Sequence, residues 1–529
     1  METTQTKQKI NLQKSDLEMI LDRYQYSDDI RDNIKRENLL PATLLSRLHS
    51  SYPQYSGIME SAEFLFTGKQ RYSGLEGFKE IVEILERNGI DIGHIKEREL
   101  FIDVYRFLAT KHVLNKINWQ NFEKDSLFQL VFPQPGMIKG EIVQRYKDAA
   151  SEEERQRLVR EYQMKFTNPH DGKQLLNKPW FKNEQDELEI LRGSQHKYPP
   201  CQLIFDKSTQ NCFSFCTYCF RHAQVRGDED MFVQEDIEQV HQYLRMHKEV
   251  TDVLITGGDA GYLPIERLEE YVTPFMEDEE LLHIKTLRLG SRALTFMPEM
   301  ILTGKYQAFL DLFHKLYDHG IQVVWMAHFS TPREVLNPST IAAIRRLKAH
   351  GVAVKSQSPI MNHISLFTDA NGNVDVDKSA QNWIDMGNIF GMLSVGFHSM
   401  YCARPTGEHH YFTAPLADII KVFNKVYRTL PSISRPSRYI TMTASAGKIS
   451  LIGAMEVEGK KVFVLKFNEG RNMEWIDEVY LAHYDEKEHT IENLKPFETG
   501  RFFYEDELAA IEQNLEEKLQ KQIDLEEHS

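Results

Sequence analysis

The sequence predicts an α/β protein: a partial α/β barrel, preceded by a long helical region and followed by a small β/helix element. Three observations carry that expectation. After Tyr198-Pro199-Pro200, short apolar runs alternate six times with amphipathic helical segments. Before that point the apolar spacing is helical, and beyond about residue 430 two further apolar runs lead into a charged amphipathic stretch.

At 529 residues the chain exceeds the size at which a single hydrophobic core stops growing, so more than one domain is expected. The changes in pattern divide it into a helical N-terminal domain (1–195), a barrel (196–430) and a C-terminal element (431–529). Charged residues make up 27% and hydrophobic ones 41%, the balance of a globular protein. A formal charge of −15 leaves no excess of Lys and Arg to neutralise a phosphate backbone, so no nucleic-acid partner is expected. The first residues lack an apolar signal core and no stretch is apolar for long enough to cross a bilayer, from which a cytoplasmic protein is expected.

In the first third, Leu17, Ile20, Leu21 and Tyr24 share a helical face, Ile81, Val82, Ile84 and Leu85 form another apolar cluster, and Ser151 with Glu154 makes a capping box before Leu158. Its His, Asp and Glu residues are scattered, as in a domain that packs on or covers a catalytic part. Turn signals at 132–136 and 168–172 mark loops or hinges. The six strand runs are 201–205, 253–256, 284–289, 323–327, 352–355 and 393–398, with helices expected at 232–246, 306–317, 339–349 and 379–386. Such repeats imply parallel strands joined by right-handed crossovers, with the chemistry at the strands' C-terminal ends. Runs at 439–442 and 462–467 flank Ser445-Ala446-Gly447-Lys448, and Leu508, Ile511, Leu515 and Leu519 lie at helical spacing near the end, in a helix that either caps the domain or joins two subunits.

Cys212, Cys216 and Cys219 follow the first barrel strand as C-x3-C-x2-C, with Cys201 and Cys402 elsewhere. Three thiolates on one loop hold three irons of a four-iron, four-sulfur cluster and leave the fourth open, whereas a structural zinc site wants four protein ligands. Zinc ligation and plain buried cysteines are the alternatives. With Thr256-Gly257-Gly258-Asp259 one crossover later, this loop resembles that of the radical S-adenosylmethionine superfamily. The resemblance implies that the open iron binds S-adenosylmethionine, which is cleaved to a 5′-deoxyadenosyl radical, and that Gly257, Gly258 and Asp259 contact it.

His196-Lys197-Tyr198-Pro199, Phe220-Arg221, Arg288-Leu289-Gly290-Ser291-Arg292, Ala327-His328-Phe329 and Gln357-Ser358 are similar, in order and spacing, to landmarks of the lysine 2,3-aminomutase branch across roughly 195–470. That similarity implies pyridoxal phosphate on Lys448 as an imine, Arg221 on the substrate carboxylate, and Tyr198, Ser291, His328 and Gln357 at the cofactors. A surface lysine beside a turn is the alternative for Lys448, a solvent-facing charge beside Arg226 that for Arg221, and satisfied core or rim residues that for His328, Arg288 and Arg292. The positions that carry two substrate-binding aspartates in the lysine enzyme fall at Ala403 and Thr441, with Arg404 adjacent. Neither residue counters an ammonium. The resemblance therefore implies a 2,3-aminomutase whose amino-acid substrate is not lysine, with an electron donor such as flavodoxin or ferredoxin as partner; a homo-oligomer is left open by the closing helix, which either caps the domain or joins two subunits. A radical enzyme without pyridoxal phosphate, acting on another small molecule or a peptide, and a zinc-stabilised binding protein are the alternative functions.

Overall fold

The computed structural model describes residues 11–58, 66–166, 177–183, 187–226, 231–498 and 500–528. An eleven-stranded sheet runs through it, with the strands side by side in chain order. They are β1 (Ser194–Tyr198), β2 (Cys201–Ile204), β3 (Asp252–Ile255), β4 (Thr286–Gly290), β5 (Gln322–Ala327), β6 (Ala353–Ile360), β7 (Gly396–Cys402), β8 (Ile440–Thr443), β9 (Gly447–Val457), β10 (Lys460–Gly470) and β11 (Val479–His483). Every neighbouring pair from β2 to β8 is parallel, β1 is antiparallel to β2, and β8 to β11 form an antiparallel meander.

The six expected strand runs correspond to β2 through β7, with helices in every crossover. The central strand β5, Gln-Val-Val-Trp-Met-Ala, is buried on both faces after its first residue, as a parallel strand covered on both sides must be. Several boundaries differ from expectation: the strand expected at 352–355 runs on to Ile360, and the helix expected at 379–386 spans Val376–Leu393. The run 393–398 begins too early, because the helix Val376–Leu393 continues through Leu393 and stops at Ser394, whose left-handed φ of 53° and bonds to the Gly391 and Phe390 carbonyls form the cap. The helix expected at 232–246 starts at Ile237, where the Asp236 side chain accepts from Glu238 N–H. Gln234 instead takes an extended course and bridges to Asp206.

The first third contains the expected helices, among them Lys14–Arg23, Gly74–Arg87 and Glu152–Phe166, and also two short strand pairs. Ser151 Oγ accepts from Glu154 N–H, while Glu154 reaches back to Ala150 N–H, one residue before the partner expected of it. The boundary expected at 195 falls inside β1, which belongs to the main sheet. The loop expected at 168–172 lies outside the described residues. One buried apolar cluster extends from Leu12 to Phe502, so the helical region shares its core with the sheet. Polar contacts fix that docking: Asn33 donates to the Leu302 carbonyl, Gly57 N–H to that of Leu336, and Arg346, fully buried, pairs with Glu37. No described helix is long and apolar enough to cross a membrane.

Candidate active site

The three cysteines lie on the loop that leaves the C-terminal end of β2 through a short helical turn at Lys207–Gln210. The helical region clamps that loop from outside. Phe215 N–H donates to the Leu108 carbonyl at 2.7 Å, Thr217 N–H to that of Leu130 at 2.9 Å, and Thr110 N–H to Ser214 Oγ at 3.1 Å. On the inner side, Phe213 stacks on Tyr262 with ring centres 4.5 Å apart. The Gly257-Gly258 turn after β3 presses against the same loop: a Cβ on Gly258 would stand 2.6 Å from the Asn211 carbonyl and 3.0 Å from Cys212 Sγ, and one on Gly257 (φ +141°) 2.4 Å from Thr209 Oγ1. Only glycine fits both positions.

Burial pushes the Cys212 thiol well up, and its neighbours Cys219, Asp259 and Cys216 push it further. Cys219 is raised to about 12 by burial and by Cys216. Three thiols near enough to oppose one another's ionisation, in a place that resists bare thiolates, fit a group that brings its own positive charge. Among the described residues, no three His, Cys, Asp or Glu side chains converge as ligands of a single ion would.

Arg292, at the end of β4, touches this group directly. Its Nη1 donates to Cys216 Sγ at 3.1 Å and to the Tyr218 hydroxyl at 2.9 Å, and its Nη2 to Glu334 at 2.6 Å. Burial opposes its charge, but Cys216, Tyr218 and Glu334 outweigh it and hold the guanidinium firmly protonated. Asp259 is committed to the frame: its two oxygens accept from Gly261 and Arg292 N–H, both at 2.8 Å, although burial raises the carboxyl to about 6. Ser291 Oγ accepts from Ala293 N–H. His328 is kept neutral by burial and by Arg292, its ring 6.3 Å from that of Tyr218. Gln357 accepts from the Tyr401 hydroxyl at 3.1 Å.

A second group gathers around Lys448 beside the edge strand β1. Lys448, early in β9, pairs across the meander with Thr443 and Glu469, and its Nζ lies 2.6 Å from Glu469 Oε2. Burial works against its charge, but Tyr401, Glu469 and Tyr198 raise it above the usual lysine range. Tyr198 turns its ring to both Lys197 and Lys448, and its buried hydroxyl has no hydrogen-bond partner among the described residues. Against the turn before Lys448 is a small pocket lined by Lys197, Arg404, Arg471 and Ser445. Lys197 donates to the Ala444 carbonyl and Arg471 to that of Ser445. Glu492, which accepts from Ser445, is the single carboxylate in the lining. The pocket thus suits an anionic group such as a phosphate, within reach of the backbone that carries Lys448. Lys197 and Arg471 had no role in the sequence reading; Arg471 directly follows Asn468-Glu469-Gly470, but only the β9–β10 pairing brings it to the turn.

Arg221 and Arg404 both lie over the Phe220 ring, at 5.1 and 5.3 Å, and Arg221 also over Phe205 at 4.6 Å. Burial lowers Arg221 to about 10, and Arg404 adds to the effect. Neither has a carboxylate partner among the described residues. Ala403 and Thr441 are buried beside them in sequence and sheet, and Thr441 Oγ1 has no partner. Arg288 proves to be a satisfied frame residue, paired with Asp252 at 2.7 Å and bonded to Cys201 Sγ. Cys201 and Cys402 are buried, and burial raises both to about 12.

No family profile matches the chain. It is 26% identical over 272 residues to a putative L-lysine 2,3-aminomutase of Aquifex aeolicus, covering 51% of this chain and 67% of that protein. To the glutamate 2,3-aminomutase of Clostridioides difficile it is 28% identical over 191 residues (35% and 42% of the two chains), and to the L-lysine 2,3-aminomutase of Clostridium subterminale 29% over 182 residues (34% and 40%). The last two matches span about two fifths of those relatives. A crystal structure of a radical SAM methyltransferase from Sphaerobacter thermophilus, 13% identical, overlaps 69% of this chain and 93% of that one with a TM-score of 0.31. The chain is related in sequence to the 2,3-aminomutases, and is not close enough to be the lysine enzyme itself.

Proposed function

We propose that this chain, a relative of the 2,3-aminomutases, is a radical S-adenosylmethionine enzyme that interconverts an α-amino acid and a β-amino acid other than lysine. The six parallel strands β2 to β7 are then its partial barrel. The observation that carries the reading is the clamped loop of Cys212, Cys216 and Cys219 against the Gly257-Gly258 turn, a built seat for a three-thiolate cluster with one open iron. Bound there, the cluster and S-adenosylmethionine supply a carbon radical that takes a hydrogen atom, and pyridoxal phosphate supplies the carrier for the migrating amine.

The residues of the chain divide the remaining work. Lys448 must lose a proton before its amine can form a covalent bond, and the ion pair with Glu469 Oε2 at 2.6 Å, which stabilises the ammonium, would have to open first. Lys197 and Arg471 would hold the phosphate, and the Tyr198 ring, which faces Lys448, would border the same site. Arg221, two residues beyond Cys219, would grip the α-carboxylate and so bring the β-carbon near the cluster. The frame of Asp259, Arg292 and Glu334 keeps the cysteine loop fixed, while the helical region covers it from water and oxygen.

Ala403 and Thr441 offer nothing to an ammonium, whereas Arg404, turned to the same ring as Arg221, is a second guanidinium with no carboxylate ion pair among the described residues. An amino acid with a neutral or anionic side chain, glutamate among them, is the expected substrate, with an electron donor of flavodoxin or ferredoxin type. Anaerobic incubation of the iron-reconstituted protein with dithionite, S-adenosylmethionine and a panel of amino acids tests this. The expected products are 5′-deoxyadenosine and a β-amino acid, and lysine as the best substrate would overturn the assignment. Absorbance near 400 nm that shifts with borohydride separates it from a radical enzyme without pyridoxal phosphate.

A further inference from the structure

One face of the sheet carries charges that the chemistry proposed above uses only in part. Successive strand residues point to opposite faces, and Val253, Leu287, Val323, Val354 and Phe397 are buried on one of them. On the other, β3, β4, β6 and β7 present Asp252, Arg288, Lys355 and His398, each at or before the middle of its strand. Solvent reaches this group: 27% of the Asp252 side chain and 21% of that of Arg288 are open to it, and His398 is exposed.

The charges in it do not balance. Asp252 is taken by Arg288 at 2.7 Å, and Glu469, which bears on the same group, by Lys448 at 2.6 Å. Lys355 has no hydrogen bond or ion pair among the described residues, although its charge bears on both Asp252 and His398. Gly396 faces it across β7, and a Cβ there would stand 3.3 Å from Lys355 Cγ, so glycine leaves the lysine stem its room. His398 is the extra residue of a β-bulge. Phe397 pairs with Ser356 and Ser399 with Gln357, so His398 has no partner in the ladder, and its carbonyl accepts from Ser437 N–H instead. The ring has no hydrogen bond among the described residues. Protein crowds it closely enough that burial, with the charges of Lys448, Lys355 and Arg288 against that of Glu469, lowers it to about 4. At neutral pH it is therefore an uncharged ring with one N–H to donate.

We propose that this face holds a binding site for a small carboxylate, separate from the Arg221 and Arg404 pair, in which the Lys355 ammonium meets the negative charge and the His398 ring donates a hydrogen bond to it. One unbalanced ammonium beside a neutral donor suits a single negative charge. A cation is repelled, and a phosphate, with nearly two charges, is better matched by Lys197 and Arg471 in the basic pocket beside Lys448. Arg288, tied to Asp252 and Cys201, forms the wall and is not a ligand.

The test is NMR of the full iron-reconstituted chain labelled with carbon-13 in its histidine rings, titrated at neutral pH and constant ionic strength with acetate and, as the neutral control, acetamide. No pyridoxal phosphate is added, so the result does not depend on the chemistry of Lys448. The His398 resonance, identified by its loss in His398→Gln, should shift saturably with acetate, and acetamide should need a concentration about tenfold higher or more for the same effect. Lys355→Met, which keeps the stem and removes the charge, should raise the acetate concentration needed by about tenfold or more, while Arg404→Met should leave it unchanged. The comparison of acetate with acetamide uses the wild-type chain and does not depend on a variant folding. No saturable shift of His398 below about 100 mM acetate, an equal response to acetamide, or unaltered binding in a folded Lys355→Met protein would each overturn the proposal.

Discussion

Arg292 offers the sharpest quantitative handle on the proposed cluster, because one guanidinium carries both a bond to a cysteine ligand and a buried counter-charge. Its Nη1 lies 3.1 Å from Cys216 Sγ, and the Glu334 oxygen lies on the far side at 2.6 Å from Nη2. With an effective dielectric of about 20, a positive charge roughly 6 Å from the centre of a cluster favours the added electron by about 3 kcal/mol. Glu334, at roughly 9 Å from that centre, takes back about 2 kcal/mol, which leaves a net of about 1 kcal/mol. A one-electron couple shifts by 59 mV for each tenfold change, so this corresponds to about 40 mV, and loss of the hydrogen bond to sulfur brings the expected total to about 40–80 mV. Arg292→Gln together with Glu334→Gln removes both charges without leaving either buried alone. Removal of the nearer positive charge disfavours reduction, so the midpoint potential should fall by that amount in an EPR-monitored redox titration. An unchanged or higher potential in a variant with full iron content would refute the argument that Arg292 acts on the cluster.

Other expectations follow from the same geometry. Cys216→Ala should lose most of its iron and all S-adenosylmethionine cleavage, whereas Cys402→Ala, buried elsewhere, should keep both; iron analysis and 5′-deoxyadenosine assay decide this. Lys448→Ala should retain the cluster and slow, uncoupled cleavage but lose the borohydride-sensitive absorbance near 400 nm. Gly258→Ala, whose new methyl group would meet the Asn211 carbonyl at 2.6 Å, should lower both iron content and melting temperature. Burial pushes the Glu299 carboxyl up, but the His112 charge and hydrogen bond prevail and bring it down to about 2. Its stabilising contribution should therefore be complete above the ordinary carboxylate pKa near 4.3 and disappear as pH falls toward about 2, so Glu299→Gln should cost about 1–3 kcal/mol at neutral pH and progressively less in acid. Urea denaturation of both proteins across that range measures the difference, and a gap that grows in acid would contradict it.

The proposed cluster site could be read from the sequence because its three cysteines are local. C-x3-C-x2-C fixes three thiols on one loop whatever lies around it, and the strand runs, being continuous apolar segments that a sheet buries on both faces, fix where that loop begins. Gly257-Gly258 was visible for the same reason, as a short motif one crossover away. Tertiary structure alone decided what surrounds these segments. Arg288 on β4 and Arg292 two residues beyond its end look equivalent in sequence, yet Arg292 reaches Cys216 from the turn at the strand's C-terminal end while Arg288, within the sheet, is tied to Asp252 on the neighbouring strand. The basic pocket joins Lys197 on β1 to Arg404 after β7 and Arg471 after β10, residues that stand far apart in the order of the sheet and meet because β10 also contacts β1. The docking of the first third was likewise out of reach: its helical periodicity gives the faces to be buried but not what covers them, and the backbone bonds from residues 108–130 that clamp the cysteine loop have no side-chain signature for a sequence to display.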